Sequence, residues 1–176
     1  PETFLDLGIA LYKLNKLQES INAYNQCIEL KPTFIQAHYN LGIVYSALGK
    51  NQKSINYYNE VLRLKPNHIK AINNLAIKYI ELNKYEETII LLSKAIEINS
   101  NYALAYSNLG VAYLGLKNFE SALISFSKAF SLDKKLISAG IQKFYLKKRI
   151  CDWTEIDEYK KLLEESISSD QAPPWQ

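Results

Sequence analysis

The chain has 176 residues, 48% hydrophobic and 22% charged, with a net charge of +3 at neutral pH. That balance fits an ordinary folded protein and leaves no polybasic or polyacidic surface on which to argue nucleic-acid binding. No apolar run reaches the length of a helical membrane span and no secretory leader opens the sequence, so a soluble, cytoplasmic protein without membrane contact is expected. Cys27 and Cys151 stand far apart and form neither a disulfide framework nor a metal-ligand spacing, and Cys27 is expected to be a reduced core thiol.

In chain order, apolar spacing predicts paired helices over 2–14 and 18–31, 35–48 and 52–65, 69–82 and 86–99, and 103–116 and 120–133, with a further helix over about 137–149 and no strand. The pairs repeat. Asn40-Leu41-Gly42, Asn74-Leu75-Ala76 and Asn108-Leu109-Gly110 recur at a spacing of 34 residues, and Asp6-Leu7-Gly8 is a more divergent copy one period earlier. Units therefore run over 1–34, 35–68, 69–102 and 103–136, followed by a closing helix over 137–150 and a capping helix with linker over 151–176. A period of this length indicates stacked helical hairpins, each burying its apolar face against its neighbours.

Packing residues recur within the units. Leu11, Tyr45, Tyr79 and Tyr113 are equivalent; so are the small residues Ser20, Ser54, Thr88 and Ala122, the large Tyr24, Tyr58, Leu92 and Phe126, and the mostly small Cys27, Val61, Ala95 and Ala129. Large and small side chains at facing positions let two helices interdigitate. Pro32 and Pro66 end the second helix of their units, since the residue before proline is pushed out of the helical region; Ser100 and Lys134 replace them later. Asn15, Gly49 and Asn83 occupy matching turns, where a left-handed backbone is tolerated.

These offsets resemble the tetratricopeptide repeat. The resemblance covers about three quarters of the chain and implies an all-α, right-handed superhelical solenoid with C-terminal capping helices. Pro1 stands at the first position of a unit with no polar cap before it, and the chain has no methionine, which leads us to expect a piece of a longer array.

The segment that follows the last unit, Cys151-Asp152-Trp153-Thr154 and on through Glu155 to Leu163, resembles the junction between repeats and catalytic region in O-linked N-acetylglucosamine transferases of glycosyltransferase family 41, including the SPINDLY-type enzymes. Thr154 suits a helix N-cap, with Glu155, Asp157 and Glu158 placed in the first turn. The resemblance implies a nucleotide-sugar-using catalytic region beyond Gln176, and makes this chain its non-catalytic, acceptor-binding part. A capping helix of any repeat array is the alternative reading of the same residues.

Within the chain no catalytic residue, metal ligand or cofactor-binding residue is predicted. His38 falls at an interhelical packing position and His68 in an inter-repeat turn. The resemblance to the tetratricopeptide repeat implies that the first helix of each unit lines the concave surface and that the residue before Leu-Gly points into it, so function is expected at Asp6, Asn40, Asn74 and Asn108. Asparagine is a poor interior helix residue, so three at equivalent sites call for a reason. A side-chain amide both donates and accepts, and could hold the main chain of an extended peptide. The transferase family carries such an asparagine ladder and uses it to hold acceptor proteins, which implies Asn40, Asn74 and Asn108 as peptide-binding residues. Bonding of these amides to neighbouring helices is the other reading. Ile9, Ile43, Ile77 and Val111 form an apolar stripe beside them. A clamp for C-terminal carboxylates is disfavoured, because Leu5, Ile9, Tyr39, Ile43, Asn73 and Leu104 leave Lys70 as almost the only basic groove residue. A stand-alone interaction scaffold is the second functional class, and homodimerisation through the outer face is known in the transferase family.

Overall fold

A computed structural model describes residues 1–149 together with Asp157, Lys160, Lys161 and Glu164. The described residues form α1 (Glu2–Lys13), α2 (Leu17–Leu30), α3 (Ile35–Ala47), α4 (Asn51–Leu64), α5 (Ile69–Glu81), α6 (Tyr85–Ile98), α7 (Ala103–Gly115), α8 (Phe119–Leu132) and α9 (Ile137–Arg149), with no strand among them. The expected Thr154 cap and the Trp153 helix lie outside the described residues.

The first helices start where apolar spacing places them, whereas the second helices start one residue earlier. The turn explains the difference. After α1, Asn15 N–H donates to Tyr12 O and Lys16 N–H to Leu11 O, both at 2.9 Å. This is the paired-bond Schellman closure, in which a left-handed residue reverses the chain at once. The same two bonds recur from Gly49 and Lys50, Asn83 and Lys84, and Lys117 and Asn118. Asn15, Gly49, Asn83 and Lys117 all have positive φ, between 56° and 67°. The residue that closes one helix is also the N-cap of the next. Only Asn118 supplies a side-chain cap there, accepting from Ser121 N–H at 3.1 Å; Lys16, Lys50 and Lys84 do not.

Second helices end in an extended residue: Lys31, Lys65, Asn99 and Asp133 have φ between −147° and −142°. Proline enforces this after Lys31 and Lys65. Where the proline is missing, Asn99 and Asp133 hold the turn with their side chains, accepting from Asn101 N–H at 3.0 Å and Lys135 N–H at 2.9 Å.

Two compact units make up the chain, Pro1–Lys78 and a second beginning at Tyr79. In the first, Ile21, Tyr24, Cys27, Ala37, Leu41 and Val44 form the buried centre. Cys27 is fully buried, and burial raises its thiol pKa. In the second, Ala122, Phe126, Ala129 and Phe130 pack with Ala139, Phe144 and Leu146 of α9. Gly8, Gly42 and Gly110 are the close-approach points of the hairpins. A Cβ on Gly8 or Gly42 would stand 2.7 Å from Cδ1 of Tyr24 or Tyr58, and one on Gly110 would meet the Phe126 ring at 2.7–2.8 Å.

Candidate peptide-binding groove

Asn74 lies half-buried on α5, and its amide donates to two hydroxyls, Tyr39 at 3.2 Å and Tyr58 at 3.3 Å. Tyr58 is 2% exposed, and burial pushes its phenol up to about 12, so the hydroxyl stays protonated throughout the physiological range. Tyr39 is set between the Tyr58 ring at 6.0 Å and the His68 ring at 5.1 Å. Asn40, half-buried on α3, is the amide partner of the Tyr24 hydroxyl. Each amide thus bonds the preceding repeat, the second of the two roles open from sequence. Because both amide N–H groups of Asn74 have a tyrosine acceptor, the side chain is oriented, and the group it can offer a guest is its carbonyl oxygen.

Asn108 is half-buried on α7 in the second unit and is not without a partner. The tyrosine positions that serve Asn74 are occupied in the following repeat by Asn73 and Leu92. Asp6 is exposed on α1.

Around Asn74 the first unit forms a recess of 260 Å³, lined by Tyr12 of α1, Ile43, Ser46 and Ala47 of α3, Tyr58 of α4, and Ile77 and Lys78 of α5. It brings together one predicted peptide-binding residue and two members of the apolar stripe. Three first helices contribute, which is how a peptide lying across them would be reached by successive repeats. Lys78 escaped sequence reasoning because two of its equivalents, Val44 and Ala112, are fully buried aliphatic residues, while the third, Ala10, is exposed. The available signal was its departure from the chain's own repeat pattern.

The two histidines act locally. His38 is 7% exposed and its Nε2 bonds Pro32 O at 2.8 Å. His68 accepts Ala71 N–H on Nδ1 at 3.1 Å and so caps α5, while burial lowers its pKa from 6.5. Among the described residues no group of three or more His, Cys, Asp or Glu side chains could hold a metal ion, and no helix is long and apolar enough to cross a membrane.

Models of the tetratricopeptide repeat match residues 8–49 and 78–117, 35–68, and 103–136. The chain belongs to the tetratricopeptide-repeat family. Solved structures repeat the same arrangement of helices. MamA residues 41-end from Desulfovibrio magneticus RS-1 is 22% identical with a TM-score of 0.83, over 96% of this chain and 96% of that one. A double mutant of MamA from RS-1 is also 22% identical, with a TM-score of 0.84 over 97% of each chain. PilF from Pseudomonas aeruginosa is 19% identical with a TM-score of 0.85, over 93% of this tetratricopeptide array and 75% of that chain. At these identities the likeness shows the fold. No curated protein matches the chain significantly.

Proposed function

We propose that this tetratricopeptide array is a protein-binding scaffold that holds an extended peptide along the first helices of its repeats, through Asn40, Asn74 and Asn108. The recess in which Asn74 meets Ile43 and Ile77 carries the reading. An oriented amide carbonyl beside aliphatic walls suits a peptide main-chain N–H next to an apolar side chain. The tyrosine hydroxyls that hold Asn74 then serve to orient it, so the structural and binding roles of the amide are compatible.

A narrower reading makes the chain the acceptor-binding part of an O-linked N-acetylglucosamine-transferase-like protein. It rests on the Cys151-Asp152-Trp153-Thr154 run, which lies outside the described residues. The likeness to MamA and PilF fits a free-standing scaffold equally well. Coding sequence downstream of Gln176 separates the two: a nucleotide-sugar-binding α/β region supports the transferase, an early stop the scaffold.

The groove itself is tested by titrating a capped, extended peptide against the chain and against the triple variant Asn40→Ala, Asn74→Ala, Asn108→Ala. Loss of about 1 kcal/mol per removed bond is expected. Unchanged affinity in a folded triple variant would sink the asparagine reading.

A further inference from the structure

The recess around Asn74 stands where one repeat leaves out a bulky side chain. Three residues after Ile9, Ile43, Ile77 and Val111 of the aliphatic stripe come Tyr12, Ser46, Ile80 and Leu114. All four are half-buried, and three of them are large. Ser46 is the exception, and it lines the 260 Å³ recess. A leucine or isoleucine at this position, as in the later repeats, would extend into that space. Ala47, also on the recess, keeps the neighbouring position small, where Lys13 and Glu81 stand in the repeats on either side.

Ile43 and Ile77 flank the space with aliphatic surface, and Tyr12 and Tyr58 add aromatic surface. Lys78 is engaged within the chain and is left to that interaction. Both N–H groups of Asn74 are taken up by tyrosines, so its carbonyl oxygen is the oriented acceptor beside these walls. A mainly apolar concavity with one well-placed polar group is the usual form of a specificity pocket. A main-chain N–H satisfies the acceptor. The side chain next to it gains by leaving water if it is aliphatic, whereas a polar one gives up its hydration to hydrocarbon.

Resting on the groove reading above, we infer that this recess takes a branched aliphatic side chain of the bound peptide, of about the size of leucine, and that Ser46 sets the preference by staying small. The side chain occupies the space that a bulky residue at position 46 would take, and the adjoining main-chain N–H donates to Asn74 Oδ1. The array then selects among extended peptides by apolar size at one register position, beyond the sequence-blind holding that amides alone provide.

The test uses the full chain and two capped serine–glutamine peptides, identical except for leucine against alanine at one central residue; the uniform host lets that residue slide into register. The leucine peptide is expected to bind about tenfold tighter in an anisotropy titration, from the apolar surface it removes from water. Ser46→Leu fills the recess and abolishes the difference while the alanine peptide still binds. Leu114 is the same residue at the equivalent position, and a thermal melt checks that the variant folds. Ser46→Val, a smaller filling, narrows the difference and stands in if the leucine variant does not fold. Ser46→Ala preserves both the space and the difference, and a difference lost there would assign the preference to the hydroxyl and overturn the account. Equal binding of both peptides to the unmodified chain overturns the aliphatic guest while the groove reading stands. A difference that survives Ser46→Leu overturns the assignment to Ser46, and binding of neither peptide overturns the groove reading and this inference together.

Discussion

At three hairpins a glycine and an aromatic ring are a matched pair. Gly8 meets Tyr24, Gly42 meets Tyr58 and Gly110 meets Phe126, each too closely for a methyl group. The remaining unit has Ala76 and Leu92 at the corresponding positions, a larger residue with a smaller one. Overpacking costs about 1–3 kcal/mol and outweighs the roughly 1 kcal/mol that alanine gains over glycine within a helix. Gly110→Ala is therefore expected to destabilise the fold, and adding Phe126→Leu to recover part of the loss. Chemical denaturation of the two single variants and the double closes the cycle; strict additivity would contradict the steric account. Lys117 has the opposite problem, a side chain where the backbone wants none. Its φ of 58° matches Asn15, Gly49 and Asn83, residue types that tolerate this region better. Lys117→Gly is expected to stabilise by about 1 kcal/mol, seen as a higher denaturation midpoint.

Helices were legible from apolar spacing, because the repeat writes the same pattern four times. The one-residue shift of the second helices was not, since hydrophobic period carries no information on which residue shares two helix ends. That depends on the Schellman bonds of Lys16, Lys50, Lys84 and Asn118. Left-handed geometry at Asn15, Gly49 and Asn83 follows from residue type, whereas Lys117 is imposed by the repeat against its own preference. The α5 N-terminus carries a pH dependence of its own. His68 caps it as an acceptor, and a protonated ring has no lone pair to offer at Nδ1. Because burial lowers the folded pKa below 6.5, the unfolded chain binds the proton first. This contribution is fully present above about pH 6.5 and is lost as pH falls through the lower folded value. Protection of the Ala71 and Ile72 amides, relative to their intrinsic exchange at each pH, should fall over that interval, and His68→Asn, which retains a capping oxygen, should flatten the response. Exchange that stays independent of pH-linked protonation would remove His68 from the cap.

For the molecule as a whole, sequence located the asparagines and the structure supplied what orients them. The amides of Asn40 and Asn74 were visible as residue types. Their tyrosine partners were not, because Tyr24 and Tyr58 belong to second helices and Tyr39 to the preceding first helix, and their hydroxyl ends must be placed in space before they can be paired. The central claim is that peptide lies along the first helices and is held by Asn40, Asn74 and Asn108. Its most direct test is nuclear magnetic resonance of the asparagine side-chain amides during titration with a capped extended peptide. The account predicts concerted shifts of these three amides together with the methyl groups of Ile43 and Ile77. Shifts confined to Ile90 and Ile124, the exposed isoleucines of the second helices α6 and α8, would contradict it.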